Sequence, residues 1–445
     1  MPDIIEDFED IDLSKKDWYY LDRKINPVVV GRGILNKYHA LHNFCVTKDN
    51  KEIWMYNGNG FYEPIGSDFI DDRIQYHLQT DYNTYIRNTV IDWVTKIADL
   101  QIDRNVFNAN INLVNLRNGI YNLETKEFME HNPKYYLSNQ IPVIYNPDAN
   151  INRIQQFLEE ILYKDDIPII QELVGYLLTK KYTIHKAFMF SGEGSNGKST
   201  LINLLKAFIG EANSTSISLQ DLTYQRFSRA YLFNKLANFF PDLPDIAIKD
   251  TGIFKALTGQ DTITADVKFS KSIQFQNYAK LVFSTNKIPR AYDDSDAFYR
   301  RWILISFPNR FEGDNCNTKI IEEISTDEEL SGLFNWGIKG LHRLLENGRF
   351  SYSKSTELIR QEYERKSNPT KAFIEDKLSI CEDGEETKED VYSTYVDYCK
   401  DNKFPIKASN VFARELREFP EMRNVKAGQR LSDGKRLWRG VRILR

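Results

Sequence analysis

Long apolar runs are absent from this sequence of 445 residues. The longest, such as 188–190 and 281–283, have the length of a β-strand, which excludes a membrane-spanning helix. The acidic N-terminus lacks the basic start and apolar centre of a secretory signal. Cysteine is scarce, and its four copies lack the paired spacing of a zinc site, which indicates a reducing compartment. We therefore expect a cytoplasmic protein without a membrane partner.

The chain is too long for one ordinary core, and its patterning predicts four segments. Residues 1–15 are acidic and are expected to be disordered. Residues 16–149 combine short aromatic strand patterns with helical spacing, which predicts an α+β domain. Residues 150–366 alternate strands and helices and carry the chemical motifs. Residues 370–445 show two helix starts and an Asp-Gly turn, which predicts a small winged-helix-like domain.

One glycine-rich motif predicts nucleotide binding. A strand pattern precedes it and helical spacing follows it, which is the context of a phosphate-binding loop. Lys198 is predicted to bridge the β- and γ-phosphates of ATP, and Ser199 to hold Mg²⁺. The predicted nucleotide-binding residues are Gly192, Glu193, Gly194, Ser195, Asn196, Gly197, Lys198, Ser199 and Thr200.

Three further strand patterns border polar residues that could complete such a site. Asp242 ends an apolar strand as a Walker B carboxylate does, and Asp245 is a second acid able to polarise the attacking water. Asn286 ends the next strand and is predicted to bind the γ-phosphate or that water. Arg300 and Arg301 precede a third strand, where one arginine could reach the nucleotide of a neighbouring subunit. The alternatives are a strand followed by an ordinary acidic turn for the two acids, and a solvated or salt-bridged pair for the two arginines.

The chain as a whole is slightly acidic, but positive charge is concentrated at its C-terminal end. The formal net charge is −4, whereas residues 403–445 hold twelve Lys and Arg against four Asp and Glu, a local excess of +8. This concentration predicts a nucleic-acid surface, with Arg436 and Arg439 as candidate contacts beside the predicted wing. A protein-docking domain is the alternative.

The order of these motifs resembles the superfamily 3 helicases of viruses and plasmids, and above all the poxvirus and phage primase–helicase type. The resemblance rests on the Walker A and B motifs and on the segments 255–261 and 284–289, and it extends from about residue 60 to the C-terminus. It implies an α/β fold: an AAA+ P-loop NTPase motor with an N-terminal helical/β domain and a C-terminal winged-helix-like domain. Many relatives carry adjacent acids at Walker B, whereas Asp242 is followed by Leu243, so the catalytic base stays open.

The resemblance also implies roles for individual residues. Asp242 takes the Walker B role and Asn286 the sensor 1 role. Arg301, or less securely Arg300, becomes a finger contributed to the neighbouring subunit. Residues 263–272 are implied to carry a hairpin into a central channel, where charge and an aromatic ring bind single-stranded DNA. The channel residues implied by this segment are Lys268, Phe269 and Lys271.

The motif set predicts an ATP-dependent DNA helicase for replication of a virus, phage or plasmid, located in the host cytoplasm. By resemblance it forms a hexameric ring that moves 3′ to 5′ on single-stranded DNA. Its expected partners are single-stranded and forked DNA, other copies of itself, and a separate primase or replication initiator, since no acidic-pair primase motif is found. One alternative is a DNA-stimulated AAA+ ring ATPase that acts as an initiator, loader or packaging motor without unwinding. A small-molecule P-loop kinase is a poorer one, since it explains neither Asn286 nor the basic C-terminal end.

Overall fold

The computed structural model of the chain describes residues 19–21, 24–38, 43–268, 272–313, 317–402, 404, 406–419, 422–429 and 435–444. The chain divides into two compact units between Tyr145 and Asn146. None of the described helices is both long and apolar enough to span a membrane. Both units mix helices with strands and the second contains a parallel sheet, so the mixed α/β class predicted from the sequence is confirmed.

The first unit combines short strands with helices. Its strands are β1 (Tyr20–Leu21), β2 (Lys24–Ile25), β3 (Phe44–Thr47), β4 (Ile53–Tyr56), β5 (Tyr62–Glu63), β6 (Gln101–Ile102), β7 (Leu113–Leu116), β8 (Gly119–Asn122) and β9 (Phe128–Met129). Its helices are α1 (Pro27–Lys37), α2 (Gly66–Leu78) and α3 (Thr84–Val94). Strands β3 to β6 form one sheet and β7 to β9 another. Buried Ile70, Ile74, Val90 and Val94 recur at helical spacing, which confirms the helices predicted within 68–100.

The second unit is built around a five-stranded parallel sheet. The strands of this unit are β10 (Ala187–Ser191), β11 (Ser214–Thr215), β12 (Ala237–Phe240), β13 (Thr262–Ala265), β14 (Ile273–Gln276), β15 (Lys280–Thr285), β16 (Trp302–Ser306), β17 (Leu378–Thr387), β18 (Lys426–Gln429) and β19 (Arg436–Ile443). The order in the parallel sheet is β11-β12-β15-β10-β16. Every residue of β10 and β15 is buried, as expected for apolar strands covered on both faces.

Helices connect and cover these strands. They are α4 (Arg153–Ile161), α5 (Ile167–Leu177), α6 (Lys198–Ile209), α7 (Leu219–Tyr224), α8 (Gly252–Thr258), α9 (Asp296–Tyr299), α10 (Ile320–Ile324), α11 (Asp327–Asn347), α12 (Thr356–Ser367), α13 (Pro369–Lys377), α14 (Lys388–Asp401) and α15 (Ser409–Glu418). Helix α6 ends at Gly210, as its sequence predicts. The helical sequence pattern over residues 330–365 belongs to two helices, because Gly348 adopts a left-handed φ of +62° and ends α11.

Helices α5 and α11 pack with their backbones in close contact. A Cβ added to Gly175 would lie 2.2 Å from the carbonyl oxygen of Gly337, so both positions need a residue without a side chain. Beside this contact the carboxylate of Glu172 is fully buried, at 0% exposure. It accepts hydrogen bonds from Arg343 Nε at 2.7 Å and from Ser351 N at 2.7 Å. This ion pair joins α5 to α11 and to the segment that follows α11.

The C-terminal part of the second unit is an antiparallel sheet of order β17-β19-β18, which shares one core with α13, α14 and α15. Thr387 Oγ1 accepts a hydrogen bond from Asp390 N at 3.0 Å, which confirms the predicted start of α14. Strands β18 and β19 pair with Gln429 opposite Arg436. The predicted Asp-Gly turn between them lies outside the described residues. The sequence does not predict β17, because several of its residues are acidic and it lacks an alternating apolar pattern.

We expect Arg343→Leu to destabilise the protein by about 3 kcal/mol, because it leaves the buried Glu172 carboxylate without its cation. A loss of this size lowers the midpoint of thermal unfolding by roughly 3–5 °C in a chain of this length. The matched control is Lys339→Leu, which removes a charge from an exposed position of the same helix and is expected to cost no more than about 0.5 kcal/mol. Equal shifts in the two variants would contradict a stabilising role for the ion pair.

Candidate nucleotide site

The glycine-rich loop, defined as residues 192–197, joins the carboxyl end of β10 to the first turn of α6. Its conformation requires glycine at specific points. A Cβ on Gly192 would lie 2.3 Å from Asn196 Nδ2 and 2.9 Å from the carbonyl oxygen of Phe307. Gly197 has a φ of +88°, and Ser195 also adopts a positive φ of 57°. The chain therefore turns sharply and exposes Ser199 on the first turn of α6.

The ammonium of Lys198 lies inside this loop. Nζ donates hydrogen bonds to the carbonyl oxygens of Gly192 at 2.7 Å and Glu193 at 2.8 Å, and to Asn196 Oδ1 at 2.9 Å. The residue is only 6% exposed. Burial lowers the pKa of Lys198 to about 8, although Asp242 and Glu193 act in the opposite direction. The cation is thus bound by neutral oxygens, and its direct contacts include no carboxylate.

Asn286 is distant in the sequence but lies beside the Lys198 ammonium. Its Oδ1 accepts a hydrogen bond from Lys198 Nζ at 3.1 Å, across 88 positions of sequence. The contact arises because β10 and β15 are parallel neighbours, with Ser191 paired to Thr285, so that both chains leave the sheet at one edge. The structure therefore brings these two predicted site residues together.

The two candidate acids occupy different environments near this edge. Asp242 follows β12 and is exposed, and it is close enough to Lys198 to raise that lysine's pKa. Asp245 instead forms an ion pair with Lys287, the residue after Asn286. The geometry leaves Asp242 available near the loop and holds Asp245 on the neighbouring segment. Within the described chain, no group of three or more His, Cys, Asp or Glu side chains could hold a metal ion by itself.

Arg300 and Arg301 lie at the opposite end of the sheet from the glycine-rich loop. Both precede β16, which runs parallel to β10 with Ala187 opposite Trp302. Five residues of strand span roughly 16 Å, so neither arginine approaches the loop of its own chain. Arg301 is 8% exposed and donates from Nε to Thr258 Oγ1 at 3.0 Å, and it also donates to Ala297 O. Arg300 is exposed.

These environments reverse the preference between the two arginines. A finger must extend from its own subunit, but Arg301 is buried in hydrogen bonds of that subunit and losing them would carry a desolvation cost. The structure therefore favours Arg300 over Arg301 for any contact with a second chain. The sequence could not distinguish them, because the two residues are adjacent and burial depends on packing.

The predicted channel segment begins as a β-hairpin. Strands β13 and β14 pair antiparallel, with Thr262 opposite Gln276. Lys268 lies exposed at the start of the turn, whereas Phe269 and Lys271 lie outside the described residues. Arg226 Nε forms an ion pair with Asp266 Oδ2 at 3.0 Å, which ties the hairpin to the segment after α7. Sequence reasoning missed this arginine, since nothing in its spacing links it to the hairpin.

Two cations lie against Trp438 in the C-terminal part, and a third lies near one of them. The Nζ of Lys388 lies 4.6 Å and the guanidinium of Arg417 5.1 Å from the centroids of the Trp438 rings. Burial lowers the pKa of Lys388, and so do Arg417 and Arg436, so each arginine lies close enough to repel the Lys388 ammonium. We call Lys388, Arg417 and Arg436 the cation cluster. None of its members forms an ion pair within the described chain.

The two predicted C-terminal contacts therefore differ. Arg436 belongs to the cation cluster, whereas Arg439 Nε is paired with Glu385 Oε1 at 2.9 Å and its charge is compensated. Lys388 and Arg417 were not selected from the sequence. They lie on different helices, and only the fold brings them to one tryptophan.

A cavity of about 760 Å³ adjoins the outer side of the glycine-rich loop. Ser195, Gly197 and Thr200 line it from the loop and α6. The opposite wall is formed by α4 and by the segment after β16. Its residues there include Arg153, Phe157, Ile161, Arg310 and Phe311. The cavity combines apolar side chains with two arginines next to the first turn of α6, and no sequence motif pointed to it.

Two family models match parts of the chain. Residues 15–163 match the family described as D5 N terminal like, and residues 190–301 match a family of unknown function, DUF5906. The NrS-1 C terminal region is a solved structure similar to this chain, with 13% identity and a TM-score of 0.48, over 94% of this chain and 100% of that one.

Viral proteins named as putative helicases are also similar to this chain in sequence. "Putative helicase L207/L206" of Acanthamoeba polyphaga mimivirus is 28% identical over 52% of this chain and 25% of its own length. "Putative helicase 121R" of Invertebrate iridescent virus 3 is 24% identical over 45% of this chain and 23% of its own length. The chain thus spans about a quarter of each of these relatives. The chain is thus similar to a family model described as D5 N terminal like and to viral proteins that are named as putative helicases.

Proposed function

We propose that this chain is an ATP-dependent DNA helicase motor that acts in replication of a virus, phage or plasmid. The observation that carries the proposal is the contact of 3.1 Å between Lys198 Nζ and Asn286 Oδ1. It joins the predicted Walker A lysine to the predicted sensor residue at the edge of the sheet where α/β proteins bind phosphate-containing ligands. The viral relatives, which are named as putative helicases, also support this proposal.

The residues present fit a nucleoside triphosphate. Lys198 is a buried cation whose direct partners are neutral, and the first turn of the 12-residue helix α6 contributes its positive end. Asn196 Nδ2 is a buried donor that has no partner in the described chain. A triphosphate supplies the negative charge and the acceptor oxygens that these groups lack. The cavity beside the loop, whose lining includes Phe157 and Phe311, has room for a base and a ribose.

The candidate metal ligands fit the weak protein coordination typical of magnesium nucleotides. Magnesium usually keeps several waters and takes only one or two protein ligands beside the phosphates. Ser199 on the first turn of α6 and Asp242 after β12 are both exposed and can fill these positions. A bound magnesium ion neutralises charge that develops on the transferred phosphate. We assign Asp242 the Walker B role. We also propose that Asp242, rather than the ion-paired Asp245, polarises the attacking water.

The position of Arg300 supports assembly into a ring. It is exposed at the end of the sheet opposite its own glycine-rich loop, so only the loop of another copy is within its reach. A head-to-tail contact that repeats around a closed ring provides that geometry at every site. We propose a homo-hexamer, as the family resemblance implies.

Two separate basic features suit the proposed DNA substrate. The hairpin of β13 and β14 presents Lys268 at its turn, where a cation can contact the phosphates of a single strand. The cation cluster has uncompensated charge on a domain with a helix and a β-hairpin, the components of a winged helix. We propose that the hairpin contacts the translocated strand and that the C-terminal part binds forked or duplex DNA. A separate primase or initiator is the expected protein partner.

One second candidate is a DNA-stimulated ring ATPase that loads or initiates without unwinding. The same loop, arginine and basic cluster would serve it, because both activities require ATP hydrolysis on DNA. Strand displacement distinguishes the two functions.

We expect ATP affinity to fall by about tenfold between pH 7 and pH 9, because Lys198 loses its proton over this range before the nucleotide binds. The sign follows from the lowered pKa of about 8. Below it the ammonium is charged and attracts phosphate, and above it binding requires uptake of a proton. Calorimetry in buffers of different ionisation enthalpy measures both the affinity and the proton uptake.

Three variants accompany this titration. Lys198→Ala is expected to reduce ATPase activity by roughly a hundredfold or more, and Lys198→Arg to bind ATP with little dependence on pH, since arginine stays charged. Lys206→Ala, on the last turn of the same helix, is the matched control and is expected to behave as wild type. Full ATPase activity in Lys198→Ala would refute the proposed site.

We expect Arg300→Ala to bind ATP normally but to lose about a thousandfold in turnover, because its guanidinium stabilises charge in the neighbouring subunit. Mixing Arg300→Ala with Lys198→Ala subunits should restore activity, since some interfaces then combine an intact loop with an intact Arg300. ATPase rates are measured against the mixing ratio. Arg301→Ala is the comparison and is expected to lower the unfolding temperature instead. Absence of complementation would count against a finger supplied in trans.

We expect Lys268→Ala to abolish strand displacement on a forked duplex while its ATPase rate without DNA stays within about twofold of wild type. The hairpin lysine contacts the strand, and its removal leaves the glycine-rich loop intact. Lys249→Ala, another exposed lysine, is the control and is expected to unwind normally. A wild-type protein that hydrolyses ATP on DNA but displaces no strand would instead favour the loader.

A further inference from the structure

Lys366 reaches the edge of the parallel sheet from α12, outside the strands and loops that carry the predicted motifs. Its Nζ donates hydrogen bonds to Ser306 Oγ at 2.7 Å, to Glu362 Oε1 at 2.7 Å and to Ser191 Oγ at 3.2 Å. These acceptors engage all three N–H groups of the ammonium. The side chains of Lys366 and Glu362 are each 21% exposed, so the pair is largely removed from water.

The two serines mark where the glycine-rich loop begins. Ser191 and Ser306 are register partners and the last residues of the parallel strands β10 and β16. Ser191 is followed directly by Gly192, and Phe307 N donates to the carbonyl oxygen of Ser191 at 2.9 Å. Lys366 therefore joins both strand ends from one side, while Lys198 binds the Gly192 carbonyl on the next residue.

Helix α12 also supports the segment after Asn286. Tyr363 Oη donates to the carbonyl oxygen of Pro289 at 2.9 Å. A cavity of about 200 Å³ lies between these contacts and is lined by Gly192, Asn286 and Lys366, with Phe404 from the C-terminal part. One helix thus contacts the chain on both sides of the candidate phosphate site.

The carboxylate of this pair is ionised near neutral pH. Burial raises the pKa of Glu362, but Lys366 and Lys354 outweigh that effect and hold it below its usual value. The other oxygen of the same carboxylate, Oε2, accepts a hydrogen bond from Lys354 at 2.5 Å.

We propose that Lys366 is a positioning residue for nucleotide binding, which holds the start of the glycine-rich loop in its binding conformation through Ser191 and Ser306. It does not contact the nucleotide. A loop that is already ordered loses less conformational entropy when a ligand binds, so the contribution of Lys366 belongs to affinity rather than to turnover. The inference rests on the proposed function, since it concerns the same loop.

Lys366→Met tests the proposal, because methionine keeps an unbranched apolar stem and deletes all three donors. In the chain of 445 residues, the Kd for a fluorescent ATP analogue and the KM for ATP are expected to rise about tenfold, with kcat within about twofold of wild type. Lys354→Met is the matched control. It removes the other cation from Glu362 but touches neither serine, so its Kd and KM are expected to stay within about twofold of wild type.

A second variant tests whether Lys366 acts through the strand ends, and it also serves if Lys366→Met fails to fold. Ser306→Ala removes the acceptor at 2.7 Å without a change in charge and is expected to raise Kd about threefold. Combined with Lys366→Met it should add nothing, because both changes break one contact. Additive effects would overturn the proposed route.

The remaining outcomes are also decisive. Wild-type Kd in both Lys366→Met and Ser306→Ala would overturn the inference, as would an unchanged Kd with a collapsed kcat, which indicates a catalytic group. Lys198→Ala separates this result from the proposed function. If Lys198→Ala binds the analogue as wild type does, the nucleotide site itself is wrong. If it fails to bind while Lys366→Met binds normally, only the role of Lys366 is wrong.

Discussion

The parallel pairing of β10 with β15 and β16 is the constraint on which the candidate site depends. Parallel strands end at the same edge of a sheet, so the glycine-rich loop, Asn286 and Ser306 leave the sheet side by side. The contact between Lys198 and Asn286 follows from that register. A shift of one residue in either strand would turn each side chain to the other face and separate the two groups.

The same sheet separates two kinds of chemistry. Lys198, Asp242 and Asn286 lie at its carboxyl edge, while Arg300 and Arg301 lie at its amino edge. A single chain cannot bring both edges to one phosphate, which is the physical reason for proposing repeated copies. The two adjacent arginines differ in burial. Arg301 is buried and forms hydrogen bonds within its own subunit, whereas Arg300 is exposed and available for contact with another subunit.

Cations in this chain divide into those with compensated and those with uncompensated charge. Arg343 pairs with buried Glu172, Lys366 with Glu362 and Arg439 with Glu385, and each pair joins two parts of the fold or positions a strand end. Lys198 and the cation cluster instead lack a carboxylate in direct contact. The uncompensated cations lie where the proposed function requires phosphate, at the glycine-rich loop and on the C-terminal part.

Local sequence patterns indicated many of the helices, strands and turns, whereas long-range packing determined which side chains contact one another. The strand, loop and helix around Lys198, the end of α6 at Gly210 and the start of α14 at Thr387 follow from short-range sequence signals, because turns and caps depend on a few neighbouring residues. Other features depend on residues that are far apart in the sequence. Asp245 pairs with Lys287 across 42 positions, and Lys366 contacts Ser191 across 175. The burial of Arg301 likewise depends on the packing around it. No local pattern encodes such contacts. By itself the sequence identified Lys198 and Asn286 as groups that could bind phosphate. The tertiary structure decided that they meet, since strand order and register set the distance between them.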